Sequence, residues 1–135
     1  MNVDRSFFFV FVVSVMILCL LSASLQAQQL QFENKKHNFG YLQRGQIDTI
    51  YFPFVNKGKL PLLINDAKFE CSCTYVDFPK DSIAPGQTGE IIVIYDSKGA
   101  IGLQDRAVTI ISNSRKGNEK IHFRGEVLQN KKMGF

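Results

Sequence analysis

Short segments in which apolar and polar residues alternate are the feature that most restricts the fold of this chain. Between Gln46 and Asn56, the residues Ile50, Phe52 and Phe54 fall on one face of an extended backbone. Similar segments recur as far as Leu128, separated by turns rich in glycine and proline. No segment after residue 27 has the 3.6-residue apolar period of an amphipathic helix. The pattern therefore predicts an all-β domain of about seven short strands.

The same alternation predicts which side chains form the core. The segment Glu90–Tyr95 is apolar on both faces, which is typical of a strand that neighbours cover on both sides. About seven strands of this kind predict an immunoglobulin-like β-sandwich, although the cysteine and tryptophan arrangement of antibody domains is absent. The predicted core residues are Phe52, Phe54, Leu62, Ile64, Ile91, Val93, Val108, Ile110 and Phe123.

Residues 1–27 have the pattern of a secretory signal peptide. Arg5 provides a basic start, the run from Phe7 to Leu21 is almost wholly apolar, and small residues lead to Ala27. We therefore predict cleavage after Ala27 and a single mature domain of residues 28–135. A cut after Ser24 and an uncleaved membrane anchor are the alternatives. The prediction places the protein in the periplasm or on the cell surface of a Gram-negative bacterium.

Charge and length exclude several classes of function. The 135 residues suffice for one domain, and the net charge of +4 is mild. The basic residues are dispersed and adjoin one another only as isolated pairs, such as Lys35-Lys36, and not as the dense stripe that nucleic-acid-binding surfaces carry. We therefore expect no nucleic-acid partner, no small-molecule substrate, and contact with the membrane only through an uncleaved signal segment.

Cys71 and Cys73 are the chemically distinctive pair, and both remain after the predicted cleavage whereas Cys19 does not. In an extended strand, residues two apart point to the same face, so the two sulfur atoms would stand side by side. The spacing allows a structural disulfide or two quiet thiols, a redox pair, or a two-thiolate site for a soft metal such as Cu(I).

The segment around these cysteines favours a structural role over a chemical one. A reactive thiol needs a nearby positive charge or a helix N-terminus to lower its pKa. The segment contains no histidine and no basic cluster, and Lys68 is its nearest cation while Glu70 is acidic. We therefore expect Cys71 and Cys73 to be a disulfide or a thiol pair with a structural role.

The residues do not assemble into any catalytic motif. His37 and His122 are the only histidines, and no nucleophile elbow, zinc-protease motif or phosphate-binding loop is present. Asp66 and Glu70 flank the cysteine segment, where acids usually cap strand ends in solvent. We expect no enzyme activity, no catalytic residue, no cofactor and no metal ligand.

Several segments, taken in order, are similar to those of a known family. They are Phe54-Val55-Asn56-Lys57-Gly58, Pro61-Leu62-Leu63-Ile64, Cys71-Ser72-Cys73-Thr74, Pro79, Ile83-Ala84-Pro85-Gly86 and Ile91-Ile92-Val93-Ile94-Tyr95, with His37-Asn38-Phe39-Gly40 upstream. The chain resembles the exported bacterial domain-of-unknown-function family 1573, with a core at residues 53–97. The resemblance implies an immunoglobulin-like sandwich related to chaperone and sperm-protein-like domains, and it implies no activity.

Two functions are compatible with these observations. The first is an exported, non-enzymatic envelope module that binds another envelope protein, for example by adding a strand at a sheet edge. The alternative is thiol redox chemistry or copper handling through Cys71 and Cys73. Exposure of the two cysteines beside a cation would favour the alternative.

Overall fold

The computed structural model describes residues 5–21 and 27–129, which form one helix and eight strands. Helix α1 spans Arg5–Leu21. The strands are β1 (Leu30–Phe32), β2 (Lys36–Gln43), β3 (Ile47–Asn56), β4 (Ile64–Phe69), β5 (Thr74–Asp77), β6 (Thr88–Asp96), β7 (Gly102–Ser112) and β8 (Glu119–Leu128). A short 3₁₀ turn, Ser97–Gly99, follows β6.

The strands form two four-stranded sheets. The first sheet has the order β1-β3-β6-β5 and the second has the order β2-β8-β7-β4. Every pairing is antiparallel except that of β2 with β8, which is parallel. The chain thus enters the first sheet with β1 and crosses at once to the second with β2. This arrangement confirms the predicted all-β fold, with one strand more than expected.

The core lies between the two sheets and contains all nine predicted residues. Each of them is at most 3% exposed. An aromatic cluster fills one end, where the Tyr95 ring lies 5.6 Å from Phe39 and 5.3 Å from Phe123 between centroids. Side chains alternate between the two faces of a strand, so apolar residues at every second position were sufficient to identify these core residues.

The alternation of Leu60, Leu62 and Ile64 predicts one continuous strand over residues 60–67, but the structure divides this segment. Leu62 exchanges backbone hydrogen bonds with Ile83, at 2.9 and 2.7 Å. Only at Ile64 does the chain begin to pair with β7, and the register shifts between Ile64 and Asp66. The segment changes partners, so the regular strand β4 starts later than the apolar pattern indicated.

Helix α1 coincides with the apolar run of the predicted signal peptide. Within residues 5–21 and 27–129, no helix has both the length and the apolar character needed to cross a membrane. The proposed cleavage region falls largely on residues 22–26, which lie outside the described residues, as do residues 130–135 at the end of the predicted domain.

Candidate functional site: the Cys71–Cys73 turn

The two cysteines lie in the connection between β4 and β5. These strands are the last in their respective sheets, so the connection crosses from one sheet to the other at one side of the sandwich. The structure joins Cys71 and Cys73 in a disulfide with Cα atoms 5.1 Å apart. The turn is closed by a hydrogen bond of 3.1 Å from the Thr74 N–H to the Cys71 carbonyl. The expectation that both cysteines lie in an extended strand was therefore wrong.

The two sulfur atoms have different surroundings. The backbone N–H of Cys73 donates to Sγ of Cys71 at 3.2 Å. Sγ of Cys73 lies 3.7 Å from the Thr74 hydroxyl oxygen, and its side chain packs against the core. The Cys73 carbonyl also accepts a hydrogen bond of 2.8 Å from Asp96 N–H, which fixes the turn to β6. Both cysteines are half-buried, and Ser72 between them is exposed.

Two open cavities flank Cys71. One has a volume of about 350 Å³ and is lined by Phe69, Glu70, Cys71, Thr74, Asp105, Arg106, Ala107 and His122. The other, of about 360 Å³, is lined by Cys71, Ser72, Cys73, Asp96, Lys98, Gly99, Ala100 and Arg106. Only Cys71 and Arg106 border both cavities, whereas Cys73 borders one. External molecules therefore reach Cys71 from two sides.

A cation that borders both cavities comes from β7 and not from the cysteine segment. Arg106 borders both cavities, while Lys68, which the sequence indicated as the nearest cation, borders neither. A signal for Arg106 was present in the sequence, because Arg106 has the same strand parity as the buried Val108 and Ile110. A charged residue at an inward position of a strand indicates a place where the core opens to solvent.

Arg106 lies close to the buried hydroxyl of Tyr95. Burial raises the pKa of Tyr95, the Arg106 charge opposes that rise, and Asp96 adds to it. Among the described residues, the Tyr95 hydroxyl and the buried Nε of Arg106 have no hydrogen-bond partner. Nη2 of Arg106 donates to the amide oxygen of Gln104 at 2.9 Å, so this bond leaves the guanidinium charge unneutralised.

The other candidate residues lie in the places that their strand positions indicate. His122 is half-exposed, and its Nδ1 lies 3.9 Å from a carboxylate oxygen of Asp105. His37 is exposed, with its ring 6.5 Å from that of Phe52. Asp66 is exposed within β4, and Glu70 is exposed directly after that strand. Over residues 5–21 and 27–129, no cluster of three or more metal-ligating side chains occurs.

A second candidate surface is the outer face of the first sheet. We call it the tyrosine face; it consists of Tyr51, Tyr75, Ile92 and Ile94. Tyr51 lies opposite Ile92, and Tyr75 lies opposite Ile94. Tyr51 and Tyr75 are 55% and 61% exposed, respectively. The central strand β6 is apolar on this outer side as well as in the core, which is the property that its sequence had indicated.

The first sheet ends at β5, whose outer edge pairs with no other strand in the described part of the chain. Asp96 N–H bonds to the Cys73 carbonyl, and hydrogen-bonded residues alternate along an antiparallel ladder. The backbone N–H and carbonyl groups of Tyr75 and Asp77 therefore point towards β6. The backbone N–H and carbonyl of Val76 consequently face outward. This open edge adjoins the tyrosine face at Tyr75.

Comparison with known sequences and structures assigns the family. A family model described as a protein of unknown function, DUF1573, matches residues 30–127. The chain belongs to the DUF1573 family. The match extends over all eight strands except the last residue of β8, and it confirms the resemblance that the sequence motifs indicated. No curated protein matches this DUF1573 chain.

Solved structures with a similar fold differ widely in sequence. A protein of unknown function from Porphyromonas gingivalis W83 is 18% identical, with a TM-score of 0.65; the match covers 78% of this chain and 50% of that one. The DUF1573 chain thus spans about half the length of that protein. PapD-like domain 7 of human CEP192 is 7% identical, with a TM-score of 0.61 and coverages of 81% and 92%. The VesB protease of Vibrio cholerae is 14% identical, with a TM-score of 0.56 and coverages of 81% and 34%. At these identities, the likeness concerns the fold alone.

Proposed function

We propose that this protein is an exported, non-enzymatic module that binds an extended segment of another envelope protein at the outer edge of β5. The observation that carries the proposal is that the open β5 edge and the tyrosine face form one continuous surface. Strand addition uses such a pair of features, because edge groups bond the incoming backbone and adjacent apolar side chains hold its side chains.

The other edges are less suited to accept a strand. The edge strand β4 carries the exposed charges of Asp66 and Lys68 and a register shift, which are devices that discourage pairing. The edge strand β2 is interrupted by a shift between Asn38 and Gly40. The edge strand β1 has only three residues. Strand β5 is itself short, so the tyrosine face would supply much of the binding energy.

The residues of the tyrosine face are of the type that dominates protein interfaces. Tyrosine provides a large contact area with few rotatable bonds, and it is enriched among residues whose truncation costs about 2 kcal/mol or more. An uncovered apolar stripe on a sheet is unusual for a domain that functions alone. A protein segment therefore fits this surface better than a nucleic acid, for which the basic residues are too dispersed.

Affinity capture from envelope extract with paired tyrosine variants tests the proposal. Tyr75→Glu places a charge on the tyrosine face, and Tyr41→Glu is the matched control, because Tyr41 is 72% exposed on β2 of the other sheet. We expect the wild type and Tyr41→Glu to retain the same protein, and Tyr75→Glu to bind it at least about tenfold more weakly.

A second measurement locates the contact. On addition of the purified retained protein, the amide of Val76 should become protected from hydrogen exchange, because a strand added to β5 would bond that N–H. Retention that does not depend on Tyr75, or protection confined to the β2 edge, would contradict binding at β5.

A further inference from the structure

We propose that the Cys71–Cys73 disulfide undergoes exchange with external thiols, and that Cys71 is the sulfur that the incoming thiolate attacks. This activity goes beyond binding at β5 and does not depend on it. Three observations carry it: the different access to the two sulfurs, the hydrogen bond that Sγ of Cys71 accepts, and the position of Arg106.

Access favours Cys71. Its side chain borders both cavities beside the turn, whereas Cys73 borders one and packs against the core. Thiol–disulfide exchange requires an approach to one sulfur from the side opposite the other, and its rate depends on which sulfur can be reached. The half-buried disulfide therefore presents Cys71 to solvent and holds Cys73 towards the sandwich.

The turn also stabilises a thiolate at Cys71. The Cys73 N–H that donates to Sγ of Cys71 at 3.2 Å would donate more strongly to an anionic sulfur. Arg106 borders the same cavities, and within the described residues its guanidinium is in no ion pair of 4 Å or less with a carboxylate. A hydrogen-bond donor and a cation are features that lower the pKa of a cysteine, so they help Cys71 to leave as a thiolate in the second step of the exchange. In the first step, the Arg106 charge attracts the incoming thiolate towards Cys71.

The other charged groups around the turn are mostly acidic. Glu70, Asp105 and His122 border the first cavity, and Asp96 and Lys98 border the second. A carboxylate oxygen of Asp96 accepts the backbone N–H of Lys98 at 2.9 Å, and Nδ1 of His122 lies 3.9 Å from a carboxylate oxygen of Asp105. Arg106 is the charged residue that borders both cavities together with Cys71, so its guanidinium is placed to offset these carboxylates there.

The exchange takes place in two balanced steps. An external thiolate attacks Sγ of Cys71, a new sulfur–sulfur bond forms there, and the bond between Cys71 and Cys73 breaks with its electron pair on Cys73. The Thr74 hydroxyl, 3.7 Å from Sγ of Cys73, is placed to interact with the departing thiolate. A second external thiolate then attacks the external sulfur and releases Cys71 as a thiolate. Two thiols are oxidised to a disulfide, and the cysteine pair gains two electrons.

Reaction of the wild-type protein with reduced glutathione is the direct test. After acid quenching and alkylation of free thiols, mass spectrometry of peptides should find glutathione on Cys71 and the alkyl group on Cys73. Predominant attachment to Cys73, or a reaction no faster than that of the urea-unfolded protein, would overturn the proposal. The same reaction is run in parallel with a cysteine-containing peptide. Comparing its rate with that of glutathione shows whether a peptide thiol or a small thiol is the faster substrate.

Variants with one cysteine test the role of Arg106. In a Cys19→Ser background, Cys73→Ser keeps Cys71, and Cys71→Ser keeps Cys73. We expect Cys71 to react with oxidised glutathione at least tenfold faster at neutral pH. Adding Arg106→Gln should move the pH profile of Cys71 alkylation to higher pH. Arg106→Lys, which keeps the positive charge, should leave the profile close to that of the variant with Arg106. Equal rates for the two cysteines, or a Cys71 pH profile that Arg106→Gln leaves unchanged, would show that the turn does not activate Cys71.

Discussion

At the scale of single residues, Arg106 and Tyr95 have the greatest consequences for the site. Arg106 reaches the cysteine turn from β7, and its charge acts on the buried hydroxyl of Tyr95, whose ring belongs to the aromatic cluster. The Tyr95 hydroxyl is buried and, within the described residues, without a hydrogen-bond partner. A buried polar group without a partner lowers stability by about 1–3 kcal/mol. This part of the core is therefore less stable than it would be without the hydroxyl.

We predict that Tyr95→Phe stabilises the protein by about 1 kcal/mol and weakens its sensitivity to alkali. The pKa of folded Tyr95 is raised above the ordinary 10.0 by burial. The associated stability is complete below pH 10 and is lost as the pH rises towards the folded pKa, because only the unfolded tyrosine ionises there. Urea unfolding at pH 8 and pH 10.5 measures both effects, with the exposed Tyr41→Phe as control. Equal alkaline losses in the two variants would contradict the prediction.

At the scale of elements, the parallel pairing of β2 with β8 depends on close contact at glycine. A Cβ atom on Gly125 would overlap the ring of Phe39 and lie 2.7 Å from the Gly40 carbonyl oxygen. The register shifts between Asn38 and Gly40, where Gly40 has a φ of 70°, and the Asn38 side chain accepts the Gly40 N–H at 2.9 Å. The two glycines thus let β2 follow β8 closely enough to insert Phe39 into the aromatic cluster.

We predict that Gly125→Ala lowers the free energy of unfolding by about 1–3 kcal/mol, since the added methyl group must displace β2. Gly99→Ala is the matched control, because no atom lies within 4 Å of a Cβ there and its φ is not positive. That substitution should change stability by no more than about 0.5 kcal/mol. Denaturant midpoints of the two variants give the comparison. Equal midpoints would mean that β2 is held loosely against β8.

At the scale of the whole molecule, backbone hydrogen bonds attach the segment before β1 to the rest of the sandwich. The Gln28 carbonyl accepts the Arg115 N–H at 3.0 Å, and the Gln29 carbonyl accepts the Lys57 N–H at 2.9 Å. The chain is thus bound to the sandwich at Gln28 and Gln29. The small-residue pattern places the predicted cleavage site after Ala27, directly before these two contacts. We propose that residues 1–27 act in export and that cleavage leaves both contacts in the mature domain.

We predict that protein recovered from the envelope fraction begins at Gln28. N-terminal sequencing measures this directly. Ala27→Arg should prevent processing, because signal peptidases require a small residue before the cut, and the variant should keep its apolar helix and remain with the membrane. Wild-type protein that retains Met1 in the membrane fraction would support an uncleaved anchor instead.

The sequence by itself determined the all-β fold, the core and the family. Side chains along a strand alternate between its two faces, and the more apolar face is the one that becomes buried. Phe52, Phe54 and Val93 were therefore assigned to the core without knowledge of any partner strand. Cys71 and Cys73 were equally visible as the distinctive pair, because their spacing is local. A local hydrogen bond from Thr74 N–H to the Cys71 carbonyl closes their turn, but the bond from Asp96 N–H that attaches the turn to β6 depends on where β6 lies, which the local sequence does not specify.

Only the tertiary structure decided which residues surround the cysteines and which surfaces stay open. Arg106 is 35 positions from Cys71 and reaches it because β7 pairs with β4, a contact that no local pattern specifies. Contacts between distant segments also decide three other features: the parallel pairing of β2, the change of partner at Leu62 and the free edge of β5. Strand order depends on the packing of distant segments, and residue alternation carries information only about the face that each side chain occupies.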